Sequence, residues 1–485
     1  MAFAITQTCC ADASCVSACP VNCIHPTPDE PDFGHTDLLY IDPAACIDCG
    51  ACADACPVDA IFPAGDLTGP LRVYEEINAE YYAGRDVLAD VPATPNFHRW
   101  APPSFTRVLP SDFAPLDVAV VGTGPAGMYA VEDLLLHTNA SVTLIDRLPV
   151  AGGLIRYGVA PDHPSTKKIG ETFARFHDHP RLRLKLGTEA GPGLAGRHDA
   201  VIYAVGATQA RPLGVPGEDL PGSLPAASVV GWYNGHPDIA VDAVDLSAER
   251  VVVVGAGNVA LDIARILTAD PDALAETPIA PAALERLRSS KVREVVLLAR
   301  RGPETAAYTR PELLALADTV VVDAHDPRIA AAVDAAAPGS KAALLRGLPR
   351  EEVDWSAPPP AGRRVVLRFH SAPVAFTGDA EVRGVRVPGP AGEVEIATGR
   401  VVRAAGFRGT PVPGLPFDAA TGTVPNAAGR VDGMPGTYVA GWIKRGPSGG
   451  IGANKACARE TVGALLEDAV AGRLPLRRKA RLLRR

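Results

Sequence analysis

The chain has 485 residues, 47% of them hydrophobic; this is too long for one core, so about two to four domains are expected, and no apolar run approaches the ~18 residues of a membrane span. Its net charge of −8 is uneven: residues 1–65 hold nine acidic residues and no Lys or Arg, which leaves the remainder near +1. That asymmetry suits docking of the acidic part on the rest of the chain, or on a basic partner, as readily as plain solvated surface; no nucleic-acid signature accompanies it.

The N-terminus, MAFAITQTCCADASC, has neither a basic nor an apolar leader region, so an unprocessed, cytoplasmic chain is expected. That compartment keeps thiols reduced. Nine of the ten cysteines lie in the first 56 residues, a metal pattern and not a disulfide framework. Cys46-x2-Cys49-x2-Cys52-x3-Cys56-Pro57 is the bacterial ferredoxin run, whose last cysteine ligates the other cluster of a pair. The two-residue gaps curl the backbone round one cluster, and the proline turns the chain toward the second. An upstream copy, offset by 37 residues, supplies Cys9, Asp12, Cys15 and Cys19-Pro20. Crosswise ligation then gives Cys19, Cys46, Cys49 and Cys52 as a complete [4Fe–4S] site. The other site has Cys9, Cys15 and Cys56, with Asp12 at the remaining corner. Three thiolates hold a [3Fe–4S] cluster; a carboxylate is a harder ligand and binds a fourth iron weakly, so an Asp-ligated [4Fe–4S] cluster stays open. Zinc calls for two separated Cys-x2–4-Cys pairs, which this duplicated run is not. Cys10 and Cys23 fall outside the register and read as small buried fillers, Cys10 also as a substitute for Cys9.

Residues 66–115 contain seven prolines and read as a partly ordered strap. The stretch LRVYEEINAEYYAG within it is aromatic enough to pack against something.

Next comes LDVAVVGTGPAGMYAVEDLLL: an apolar strand, then Gly122-x-Gly124-x-x-Gly127, then a helical pattern. This order places backbone N–H groups at a pyrophosphate. The following strand, SVTLID, ends in Asp146, a carboxylate suited to a ribose 2′-OH and unsuited to a 2′-phosphate. A second copy, ERVVVVGAGNVALDIARIL, carries Gly255-x-Gly257-x-x-Ala260. Its next strand ends in Arg300-Arg301, two guanidiniums suited to a 2′-phosphate, so this site selects NADP(H). Arg300 lies 45 residues beyond Gly255, which implies an inserted loop and helix. Two nucleotide folds beside iron–sulfur clusters imply a flavin between them, because NADPH delivers two electrons together and a cluster takes one.

The stretches GTGPAG, RYGVAPDHPSTKK, GAGNVALDIARIL, ARRGP and GWIKRGPSGGIGANK together resemble ferredoxin–NADP reductases of the adrenodoxin-reductase type. The fusion resembles bacterial members that carry an N-terminal seven-iron ferredoxin. The resemblance implies FAD at Gly127, Asp146, Leu154, Ala190, Trp442, Gly449, Gly450 and Ile451. It implies NADP at Gly257, Asn258, Val259, Ala260, Arg300, Arg301, Glu312 and Gly449. His163 and Glu312 resemble the pair that the family places near the nicotinamide. From the residues alone, His163 is equally a loop histidine. Thr309, Pro311 and Glu312 read equally as a helix-capping box.

The expected fold is multidomain α/β with a small α+β ferredoxin-like domain at residues 1–65. After the strap, a FAD-binding Rossmann-type domain at 116–215 and 400–485 is interrupted by an NADP-binding one at 216–399. The strands AVIYAVGA and RVVRAAGF read as the crossings between them. The expected activity is electron transfer from NADPH through FAD and the clusters to a one-electron acceptor, a ferredoxin or a cytochrome P450, without nucleic acid or membrane. An electron-transfer subunit like the small subunit of glutamate synthase is the alternative.

Overall fold

The computed structural model describes residues 2–83, 107, 109–191, 193–390 and 392–475. The proline-rich stretch at 84–106, read above from sequence, and residues 476–485 lie outside the described residues.

The N-terminal unit is built from two short antiparallel ribbons, Phe3–Ile5 with Ile61–Pro63 and Ile24–His25 with Tyr40–Ile41. The duplication seen in the sequence is also present in the backbone. Ala11 and Asp48, Ala13 and Gly50, and Asn22 and Asp59 all adopt positive φ, each pair 37 residues apart. Segments that alternate handedness in this way turn N–H groups inward, as at many iron–sulfur sites.

The helix Val73–Tyr82 closes this unit. Its buried Asn78 accepts from the amides of Ile5 (3.1 Å) and Ile41 (2.9 Å) and donates to the Ile5 carbonyl (2.9 Å). One amide side chain therefore satisfies backbone groups from both ribbons that burial would otherwise leave unpaired. Tyr74 and Ile77 join Ala4, Leu38 and Tyr40 in one apolar cluster. The first part of the segment expected as a strap is thus packed on the cysteine unit, and that unit's core extends past residue 65.

Two parallel seven-stranded sheets follow. The first orders Asn426–Ala427, Arg430–Val431, Thr437–Val439, Ala200–Tyr203, Asp117–Val121, Ser141–Ile145 and Leu182–Lys185, with an antiparallel start. Its strand Asp117–Val121 alternates Val118 and Val120 into one core and Ala119 and Val121 into another, as a strand covered on both faces must. The second sheet orders Ser223–Pro225, Arg400–Arg403, Arg250–Val254, Glu294–Leu298, Arg364–Arg368, Val320–Asp323 and Arg350–Glu351, all parallel. Between the sheets, Gln209–Ala210 pairs antiparallel with Phe407–Arg408. Both chain crossings thus run through one ribbon. The strand Arg400–Arg403, expected to open the returning FAD segment, lies inside the inserted sheet, and the return begins at the ribbon.

Candidate redox centre

A cavity in the N-terminal unit is lined by Cys9, Cys10, Asp12, Cys15 and Cys56, with Ile5, Leu39 and Ile61 behind them. These are the three thiols and the carboxylate that crosswise pairing groups together. Cys10, expected outside the register, also lines this wall. Burial pushes the Cys9 thiol up to about 11, and it raises Cys15 further, with Cys9, Asp12 and Cys56 adding to it. Residues 1–65 contain no Lys or Arg, so thiolates here need a cation from elsewhere, which iron would supply.

Burial and then the nearby Cys46 and Cys19 raise Cys52, and all three lie close enough to add to the rise of Cys23, whereas Cys49 sits exposed. Cys23 shares a hydrogen bond with Cys19 at 3.5 Å. That bond lowers Cys19 and raises Cys23. Both cysteine groups fit iron–sulfur clusters in ligand type and in the backbone that presents them.

The first glycine loop fits a dinucleotide. Gly122 has φ +108° and a side chain there would strike the Ala204 carbonyl, while one at Gly127 would strike the carbonyl of Gly122. These two glycines hold the strand and the helix Pro125–His137 together. Gly124 instead faces open space, where a phosphate can approach. Asp146 accepts from the Thr123 amide (2.8 Å) and hydroxyl (2.5 Å) and from the Leu148 amide (2.9 Å). It therefore pins the loop to the second strand as well as offering a carboxylate to a ribose.

Leu154 opens a short helix beside this loop, and Ala190 is half-buried against the outer core. Trp442 donates Nε1–H to the carbonyls of Ser448 (3.1 Å) and Gly449 (3.2 Å), which braces the glycine turn ahead of the helix Ile451–Val470. Gly449 has φ +71°, and Gly450 has open space beside it.

In the second sheet, Gly255 packs against Ala404, and Gly257 precedes the helix Asn258–Thr268 that carries Val259 and Ala260. Arg300 and Arg301 are both exposed just beyond the strand Glu294–Leu298, free to meet a 2′-phosphate from solvent.

Glu312 departs from the capping-box reading. The amide of Thr309 is held by Asn258 Oδ1 at 2.9 Å, and the Thr309 side chain makes no cap bond. Glu312 turns instead to Arg265 Nη1 at 3.0 Å. Arg265 also meets Asp162 (2.5 Å), Asp262 (2.6 Å) and His163 Nε2 (3.0 Å). This buried cluster joins the two nucleotide-binding units. Burial and then Arg265 hold His163 below its ordinary value. Burial and then Glu312 push Asp262 up, and burial likewise raises Glu312 against the pull of Arg265.

Sequence reasoning missed Asp162, Asp262 and Arg265. The available signal was an acid and a base three residues apart on a helix otherwise apolar on that side.

The cysteine unit docks beside the flavin-type motif. The Gly452 amide donates to the Cys10 carbonyl at 2.9 Å. A side chain at Gly452 would lie 2.6 Å from that oxygen and would strike the Ala11 carbonyl. Lys168 pairs with Asp59, and the Arg310 amide reaches Asp37 Oδ2 at 2.9 Å.

Two parallel dinucleotide sheets joined by a ribbon, with a cysteine-rich unit seated on one, define a nucleotide-dependent oxidoreductase with an iron–sulfur segment. The pyridine nucleotide-disulphide oxidoreductase family matches residues 116–302, and the 4Fe-4S binding domain family matches residues 39–62. The chain is 46% identical to a probable ferredoxin/ferredoxin–NADP reductase of Mycobacterium tuberculosis (strain ATCC 25618 / H37Rv), over 98% of this chain and 85% of that protein. It is 37% identical to the mitochondrial NADPH:adrenodoxin oxidoreductase of Arabidopsis thaliana, over 73% of this chain and 82% of that one. The structure of M. tuberculosis FprA in complex with NADPH superposes with a TM-score of 0.67 at 41% identity, covering 75% of this chain and 87% of that one. The chain belongs to the ferredoxin/ferredoxin–NADP reductase family. Among the described residues no helix is long and apolar enough to cross a membrane.

Proposed function

We propose that this chain is an NADPH:ferredoxin oxidoreductase that carries its own ferredoxin and delivers single electrons to an acceptor protein, a separate ferredoxin or a cytochrome P450, in the cytoplasm. The groups supply, when bound, the conversion of a two-electron hydride donor into single electrons.

The protein's part is binding and orientation. Gly122, Gly124, Gly127, Asp146, Leu154, Ala190, Trp442, Gly449, Gly450 and Ile451 form the FAD cradle. Gly255, Gly257, Asn258, Val259, Ala260, Arg300 and Arg301 hold NADP(H). His163 and Glu312, fixed by Arg265, line the nicotinamide end as polar partners. Cys19, Cys46, Cys49 and Cys52 hold a [4Fe–4S] cluster. Cys9, Cys15 and Cys56 hold a [3Fe–4S] cluster, with Asp12 beside its open corner.

The observation that carries this reading is the bond from Gly452 to Cys10. It seats the first cysteine loop on the helix whose leading glycines belong to the flavin motif. The second cysteine group lies outward, with Cys49 exposed and Ile47 58% exposed. That rim is the exit toward an acceptor, and the acidic balance of residues 1–65 favours a basic one.

The test is NADPH titration of the anaerobically purified full chain, followed optically and by EPR, with flavin, iron and labile sulfide counted. FAD followed by cluster reduction is expected. A protein with FAD but no iron, or clusters that stay oxidised at potentials they could reach, would overturn the reading.

A further inference from the structure

Lys455 has no place in the sites assigned above. It lies one turn into the helix Ile451–Val470, yet its ammonium reaches out of the reductase to the one carboxylate at a cluster corner. Its Nζ lies 3.4 Å from Asp12 Oδ2, 3.3 Å from the Asp12 carbonyl and 3.3 Å from Ser14 Oγ. The Asp12 side chain is only 9% exposed. Its Oδ1 accepts from the Ser14 amide at 3.2 Å, and its Oδ2 accepts the Ser14 hydroxyl. Both carboxylate oxygens are therefore engaged without iron. The cation that meets this carboxylate comes from the reductase part, and residues 1–65 contain no Lys or Arg.

We propose that Lys455 is a positioning residue: it holds the Asp12 carboxylate off the first cluster and keeps that site in its three-iron form while the cysteine unit is docked. The inference rests on the ligand assignment made above. Uptake of a fourth iron consumes one ferrous ion. One bond forms from an Asp12 carboxylate oxygen to that iron, and the ion pair to Lys455 breaks. The ammonium keeps its proton and turns to solvent, which its side chain, 44% exposed, already meets. Uptake itself moves no electron: a reduced, neutral [3Fe–4S] core plus Fe2+ gives a [4Fe–4S]2+ core. The preceding one-electron reduction comes from NADPH.

The same helix also carries the Gly452 contact, so docking and clamping arrive together. Undocking removes the lysine and exposes the carboxylate to iron. The first site's iron content is thereby tied to whether the unit sits against the reductase.

The test uses the full chain, purified anaerobically, reduced with NADPH, incubated with graded ferrous ion, then reoxidised and read by EPR with iron counted. The wild-type protein is expected to keep its oxidised three-iron signal. Lys455→Met is expected to lose that signal at ferrous concentrations about tenfold lower or more, the scale of one charge-assisted hydrogen bond. Lys455→Arg restores resistance, and Lys455→Met combined with Asp12→Ala keeps the three-iron signal because no carboxylate remains. Equal iron uptake by wild type and Lys455→Met, or conversion of the double variant, overturns the clamp. A wild-type first site that already holds four irons also overturns it, with the functional reading intact. Absence of iron and sulfide from the wild type overturns the functional reading itself.

Discussion

Arg300 and Arg301 are the pair proposed to set the cofactor preference. Both are exposed beyond a parallel strand, where the first nucleotide unit has Asp146. Charge-assisted hydrogen bonds to a phosphate contribute about 1.5–3 kcal/mol each, so Arg300→Ala with Arg301→Ala is expected to raise KM for NADPH by at least about tenfold and leave KM for NADH nearly unchanged. Steady-state kinetics with both nucleotides checks this, and equal losses would remove the 2′-phosphate assignment. At the first cluster, Asp12→Cys is expected to abolish the oxidised three-iron EPR signal and add one iron per chain. Asp12 was legible because it sits at a fixed offset inside a repeated motif, and Arg300 and Arg301 because they follow the strand after the second glycine loop, despite an intervening insertion. Glu312 was not. Its spacing from Thr309 suits a cap, but a buried guanidinium binds a carboxylate more strongly than a backbone amide does, and Arg265 is distant in sequence.

The helix Asn258–Thr268 does two jobs as an element. Its first turn follows the second glycine loop, and its last turns carry Asp262 and Arg265 to the boundary with the other nucleotide unit. Arg265 faces Asp162, Asp262, Glu312 and His163 at once. Removing one partner of a buried charge cluster costs about 3–5 kcal/mol, so Arg265→Met is expected to lower unfolding free energy by that order near neutral pH, measured by denaturant titration. The pH dependence has a definite sign. Without the guanidinium, burial raises Asp262 and Glu312 above ordinary carboxylate values, so the folded state binds more protons than the unfolded one. Stability then falls as pH rises through the ordinary carboxylate range and beyond, and acidification restores part of it. A variant whose loss is the same at acid and neutral pH would show that the carboxylates do not drive it. The strands and both glycine loops were readable from alternation and spacing. The helix Val73–Tyr82 was only half-readable: its aromatics announced packing, but the role of Asn78 depends on two ribbons that meet in space and not in sequence.

Across the whole molecule, three bodies touch one another. The cysteine unit meets the first nucleotide unit through Gly452 with Cys10, Lys455 with Asp12 and Lys168 with Asp59. It meets the second through Arg310 with Asp37 (2.9 Å) and Glu80 (3.0 Å). The order of parts along the chain was visible from the motifs, whereas these joints were not, since no local pattern marks which loop faces which helix. Gly452→Ala tests the first joint. The added methyl overpacks the docked arrangement by about 1–3 kcal/mol, so cytochrome c reduction through the clusters is expected to fall about five- to 150-fold at that strain. Ferricyanide reduction and flavin content, measured on the same sample, show whether the nucleotide units remain intact.

Because the two nucleotide units are also hinged to each other by the ribbon Gln209–Ala210 with Phe407–Arg408, the joints close a loop instead of forming an open string. The cysteine unit touches both nucleotide units, so its contacts add to the buried Arg265 cluster in bracing one unit against the other. A rotation of one nucleotide unit against the other is therefore expected to strain the contacts that seat the cysteine unit, Gly452 with Cys10 on one side and Arg310 with Asp37 on the other.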